Sequence, residues 1–160
     1  MPTPTYIPLQ TITLGSSASS VTFASIPQTY RDLVCALSVA TTTGQGVKFQ
    51  YNGETATANY SRVFMFGTGS STSSGSSSGD ANAQKLIQTK TSISTAVVQI
   101  MDYSATDKHK TILARSGPAD DIVFAEAQRW ASTSAITSFT ILSESVLNAN
   151  TTISLYGIEA

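Results

Sequence analysis

Val47-Lys48-Phe49-Gln50-Tyr51-Asn52-Gly53 decides the fold class. Val47, Phe49 and Tyr51 alternate with Lys48, Gln50 and Asn52, so an extended chain puts all the apolar side chains on one face and the polar ones on the other. Asn-Gly then supplies the two positive φ angles of a tight turn, and a hairpin or sharp corner is expected there. The same period of two recurs outward from this stretch. Leu33, Cys35, Leu37 and Val39 share a face, Ile12 and Leu14 alternate with Thr, and Val21 and Phe23 flank Thr22. No long segment keeps the 3.6-residue period of a helix.

Further strand-like runs cover Arg62 to Phe66, Ala96 to Tyr103, Lys110 to Arg115, Ile122 to Trp130, Ala135 to Leu142 and Thr151 to Tyr156. Ala96 to Tyr103 is the most continuously apolar and is expected to be central. Turn clusters separate the later runs: Ser104-Ala105-Thr106-Asp107, Ser116-Gly117-Pro118, Ser132-Thr133-Ser134 and Asn148-Ala149-Asn150. Short strands at this spacing predict an all-β chain forming a single antiparallel β-sandwich, jelly-roll-like, with about eight to ten strands. Gly67 to Gly79 is almost wholly Gly, Ser and Thr and reads as a long flexible loop within one domain spanning residues 6–160. Residues 1–5, rich in Pro, read as an extended N-terminal arm that could lie on a neighbour.

The chain has 160 residues, a formal net charge of -1 and only 12% charged residues, so it lacks the basic footprint of a nucleic-acid binder. Ser and Thr make up roughly three residues in ten, giving a hydrated but weakly charged surface. No basic n-region and apolar h-region open the sequence, and no 18 apolar residues run together, so neither an export signal nor a membrane span is expected. Cys35 is the single cysteine and sits on the apolar face of its run, which predicts an inert core thiol. Asn59-Tyr60-Ser61 and Asn150-Thr151-Thr152 match the glycosylation acceptor pattern, a tripeptide that arises freely in so Ser/Thr-rich a chain, and no function is assigned to them.

No catalytic, cofactor-binding or metal-binding residues are expected. Gly75-Ser76-Ser77-Ser78-Gly79 fits the G-x-S-x-G pattern, with His109 and Asp102 or Asp107 as imaginable partners, but a nucleophile elbow needs a strand, a strained turn and a helix. His109, the only histidine, lies in Asp107-Lys108-His109-Lys110, a polar strand entrance where exposure is expected. Asp120-Asp121, or Asp80 with Asn82, offer oxygen ligands for a hard cation but lack the spaced ligand series of a calcium loop. Glu54, Glu126, Glu144, Asp102, Asp120 and Asp121 are the raw material for a carboxylate pair, which only their separation in space would reveal. Trp130 ends an alternating run with Phe124, Glu126 and Gln128 and is expected in the core or a subunit interface.

Three stretches together resemble a β-sandwich domain of virion surface, capsid decoration and tail-fibre-type proteins of tailed bacteriophages, particularly those of aquatic bacteria. They are Tyr6 to Gly15 with Val21 to Leu33, the middle Asn52-Gly53 and Asn59-Tyr60-Ser61, and the ending Ala135 to Phe139 through Ser154 to Ile158. The opening is the most specific, with Ile26-Pro27-Gln28-Thr29-Tyr30 looking like a fixed corner joining two strands. The resemblance implies a non-enzymatic capsid decoration or cement protein on the virion surface, assembled in the host cytoplasm. Its partners would be a major capsid or tail protein and further copies of itself, with a trimer favoured. The alternatives are a tail-fibre or receptor-binding module contacting host surface glycans through the Gly67 to Gly79 loop and, more remotely, a depolymerase or other hydrolase. No shaft of heptads or repeats accompanies the domain, which favours direct docking on the particle.

Overall fold

The computed structural model describes residues 5–44, 46–79, 84–87, 89, 91–118 and 121–159. Twelve strands are present among them: β1 (Tyr6–Thr13), β2 (Ala18–Phe23), β3 (Asp32–Val39), β4 (Val47–Tyr51), β5 (Tyr60–Gly67), β6 (Thr72–Ser78), β7 (Gln84–Ile87), β8 (Ser94–Met101), β9 (Lys110–Gly117), β10 (Val123–Trp130), β11 (Phe139–Leu147) and β12 (Thr152–Ile158). All pairings are antiparallel, in one sheet of order β1-β12-β3-β8-β9-β10-β5-β6 and a second of order β2-β11-β4-β7. The all-β sandwich expected from the alternation is the fold observed.

Eight strands pair in a nested way: β1 with β12, β2 with β11, β3 with β8 and β4 with β7. The other four form two hairpins, β5–β6 and β9–β10, that lengthen the first sheet beyond β8. As expected, β8 is an interior strand, fourth in the eight-stranded sheet.

The core forms where the inward faces of the two sheets meet. Leu33, Cys35, Leu37 and Val39 of β3 are buried, beside Val98 and Ile100 of β8 and Ile153 and Leu155 of β12. The opposing sheet contributes Val21, Phe23, Val47, Phe49, Tyr51, Phe139 and Ile141. Phe139 packs between Phe23 and Phe49, with ring centroids 5.2 and 5.5 Å away. Each such large apolar side chain contributes about 1.5–3 kcal/mol by leaving water. Trp130, at the end of β10, is buried in the core against Tyr51.

Asn52 and Gly53 adopt φ values of 49° and 70°, and the Glu54 amide donates to the Tyr51 carbonyl at 2.8 Å. The turn is a sharp corner, since β4 and β5 lie in different sheets. The Asn52 side chain then holds a distant segment: its Oδ1 accepts the Thr137 and Ser138 amides at 2.9 and 3.1 Å, while Nδ2 donates to the Ala135 carbonyl at 2.7 Å. Residues 135–138 are thereby kept out of the sheet, and the strand expected from Ala135 begins instead at Phe139. The corner at Ile26 to Tyr30 is fixed in the same fashion. Gln28 Nε2 donates to the carbonyls of Ile26 and Ile136 at 2.8 and 3.0 Å, and the Tyr103 hydroxyl donates to the Pro27 carbonyl. Tyr30 lies over Gly157, where a Cβ would overlap its ring.

The expected Gly67 to Gly79 loop is corrected. Thr72–Ser78 is β6, an edge strand paired residue for residue with β5 from Ser61↔Ser78 to Gly67↔Thr72. An edge strand needs one partner and no apolar face of its own, so a Ser/Gly sequence suffices once β5 presents its ladder. The turn itself is short, closed by Thr68 N–H donating to the Ser71 carbonyl at 2.9 Å. β6 and the four-residue β7 raise the strand number above the expected eight to ten. Of the expected N-terminal arm, residues 1–4 lie outside the described residues, and the Thr5 carbonyl accepts the Glu159 amide at 3.3 Å.

Candidate interaction surface

On β8, β9, β10 and β5 apolar residues occupy the outward positions as well as the inward ones. One cross-strand row of the outer face runs Ser74, Met65, Ala125, Arg115, Val97, Ala36. The adjacent row runs Ser76, Val63, Ala127, Leu113, Gln99, Val34. Val63 and Met65 are each 62% exposed, Val97 48% and Leu113 44%. Together with Ala125 and Ala127 they floor an open groove of about 700 Å³, and Arg115, Gln99 and Ser74 provide its polar contacts. These aliphatic side chains are contiguous across the four strands.

Sequence reading missed this face, yet a signal was present. Val63-Phe64-Met65-Phe66, Ala96-Val97-Val98 and Ile112-Leu113-Ala114 are apolar at consecutive positions, so each strand has apolar residues on both faces. Their inward members Val98, Ile112 and Ala114 are buried in the core, and the outward members line the groove.

Several polar groups inside the sandwich are paired, while Gln128 Nε2 and Trp130 Nε1 are buried without a hydrogen-bond partner among the described residues. Glu126 is buried with Arg62, whose Nη1 donates to Oε2 at 3.2 Å. The Tyr51 hydroxyl donates to Gln128 Oε1 at 3.2 Å. The Tyr60 hydroxyl donates to the Glu54 carbonyl at 3.2 Å and accepts the Tyr51 amide at 3.3 Å. Burial pushes the Tyr60 phenol up to about 12, and it also raises Tyr51. Lys110 is buried with its ammonium on the Lys108 and Thr133 carbonyls at 2.9 and 3.4 Å, and loss of hydration lowers its pKa. Cys35 is buried, and desolvation raises its thiol.

The residues considered for chemistry are spread over several elements, with Asp102 beside Lys108, the chain neighbour of His109. Gly75 to Ser78 lie along β6, with no strand-to-helix turn. His109 is exposed at the entrance to β9. Glu54 caps the local turn, accepting the Ala56 amide at 2.7 Å and Asn59 Nδ2 at 2.9 Å, bonds that hold its carboxyl below the ordinary range. Glu144 pairs with Lys48 at 3.0 Å and Asp102 with Lys108 at 3.4 Å. Asp121 is exposed, whereas Asp80, Asn82 and Asp120 lie outside the described residues. Among the described residues no three His, Cys, Asp or Glu side chains cluster as a metal site.

No family model and no curated protein matches the chain. Among solved structures it is similar to the galectin LEC-6 of Caenorhabditis elegans, at 11% identity and a TM-score of 0.38 over 94% of this chain and 96% of that one. An exo-inulinase from Aspergillus awamori gives 10% identity and a TM-score of 0.37, with 97% of this chain covering 29% of the enzyme. The alginate lyase Aly36B gives 10% identity and a TM-score of 0.30 over 91% of this chain and 78% of the lyase. Likenesses at this level assign neither family nor activity.

Proposed function

We propose that the chain is a non-enzymatic structural protein of a bacteriophage virion, a decoration or cement protein that seats the outer face of its long sheet on assembled coat subunits. The nested pairing of eight strands supports reading the framework as a jelly roll, with the β5–β6 and β9–β10 hairpins added to enlarge that face. The observation that carries the mode of action is the exposed aliphatic floor of Val63, Met65, Val97 and Leu113. The resemblance in the opening, middle and closing stretches supplies the setting.

The mechanism is mechanical. A protein that buries this face against assembled coat, and not against free subunits, adds its binding free energy to the stability of the particle. The reading in which a flexible loop contacts host glycans loses its motive, because Thr72–Ser78 is a paired strand. Quantifying copies per purified particle tests the proposal. Stoichiometric copies on the coat support it, while a few copies confined to the tail, or a protein absent from particles, reject it. Met65→Lys and Leu113→Lys should each release the protein from particles with an unchanged fold.

A further inference from the structure

The geometry points to β6 as a self-pairing edge: two copies of the chain join their long sheets antiparallel through Thr72–Ser78, about a twofold axis at Gly75. This inference rests on the edge of the sheet and not on its outer face, so it stands independently of the virion reading.

Sheet edges are normally guarded by proline, charge, bulges or shortness. Three of the four edges here carry such devices. In β1, Pro8 sits at a register irregularity between Pro8 and Gln10. β7 has four residues and a register shift opposite Val47/Lys48. β2 lies against a strand whose register breaks between Leu142 and Leu147. β6 has none of them: it is seven residues long, regular in register, uncharged and free of proline.

The hydrogen-bond phase shows which groups face outward. Gly79 N–H donates to the Tyr60 carbonyl and Thr68 N–H to the Ser71 carbonyl, and both pairs follow the β5–β6 register. Odd-numbered residues of β6 therefore bond inward to β5, and the amides and carbonyls of Thr72, Ser74, Ser76 and Ser78 point away from the sheet. Centred on Gly75, a second copy sets Ser74 opposite Ser76 and Thr72 opposite Ser78. Every outward group is then in phase with a partner.

Two observations select a copy of the same chain as the occupant. A twofold antiparallel pair places each side chain near its own counterpart, where any charge would repel itself, and β6 has none. Its Ser and Thr hydroxyls match pairs already formed within the fold, Thr11 with Ser154 at 3.0 Å, Thr13 with Thr152 at 3.1 Å and Thr22 with Thr140 at 2.9 Å. The second observation is Phe64. Its ring reaches across the strand spacing to cover Gly75, where a Cβ would lie 2.8 Å from Phe64 Cζ. Directly opposed residues of a non-hydrogen-bonded pair lie about 4.5 Å apart. The two Phe64 rings therefore meet tip to tip over the axis, a contact that only an identical partner provides.

Sedimentation of the full chain at micromolar concentration, wild type beside Ser76→Pro and Ser74→Lys/Ser76→Lys, tests this. Proline removes an outward donor and leaves the β5 ladder intact, and the lysines place like charges across the axis. The expected result is a mass of two 16.8 kDa chains for the wild type and of one for both variants, with melting transitions still cooperative. Backbone amide exchange of the wild type should show Ser74 and Ser76 protected at high concentration and at least tenfold faster on dilution. A wild-type monomer, a trimer, or a dimer that survives both substitutions overturns the inference, as does fast exchange at those two amides at every concentration.

Discussion

Val97 and Val98 are neighbours in β8 with opposite fates, and the same conservative substitution at each measures the division between groove and core. Val98 is fully buried and opposite Cys35 and Ala114. Val97 is 48% exposed and opposite Ala36 and Arg115. Valine to threonine keeps the β-branched shape and strand preference and exchanges a methyl for a hydroxyl. At position 98 the hydroxyl enters an apolar layer, at a cost of about 1–3 kcal/mol. At position 97 it meets water, and the change should stay within about 0.5 kcal/mol. For a domain of this size 1 kcal/mol moves the melting temperature by about 2–4 °C, so Val98→Thr should melt roughly 4–8 °C lower for a central cost of about 2 kcal/mol. Calorimetry of the two variants beside the wild type reads this directly. Equal losses at both positions would refute the outer face as solvent-exposed surface, and no loss at 98 would refute the assigned register.

Cys35 should react with a thiol reagent in denaturant and hardly at all in the native protein, because it is buried and its thiol is held in the neutral form. Stability should decline as pH rises from about 10 to about 12: Tyr60 has its folded pKa raised above the unfolded value, so its contribution is complete below the lower figure and lost through the upper one. Tyr60→Phe should flatten that decline in alkaline melts and remove one late phase from a tyrosinate absorbance titration. Gly157→Ala should cost about 1–3 kcal/mol in chemical denaturation by driving a methyl into the Tyr30 ring.

The sandwich was legible because strands such as Val47 to Tyr51 carry one apolar and one polar face, and because Asn52-Gly53 favours the turn it makes. β6 was illegible for the converse reason. Its Ser/Gly sequence encodes neither face nor propensity, and its extended state is imposed by the complete register of β5 beside it. Residues 135–138 were misread as strand because their exclusion depends on Asn52, more than 80 positions earlier, whose side chain takes the amides that a ladder would use. The outer face went unseen because a run apolar on both sides reads from sequence as a strand buried on both sides, whereas the partner sheet covers the inner face and leaves Val63, Met65, Val97 and Leu113 exposed.

The nesting of the strands also governs when the domain can exist during its own synthesis. β1 pairs with β12, so that Gln10 waits for Leu155 and Thr13 for Thr152, while β3 has one flank empty until that same last strand arrives. Contacts so distant along the chain make barrel- and sandwich-like domains fold in milliseconds to seconds, slower than helical ones. The emerging polypeptide must therefore carry Leu33, Cys35, Leu37 and the aromatic residues of the opposing sheet through translation without their final cover. Production of this protein should depend on how well the cell shields an incomplete chain, and cooler, slower expression should yield more folded product than fast synthesis at high temperature.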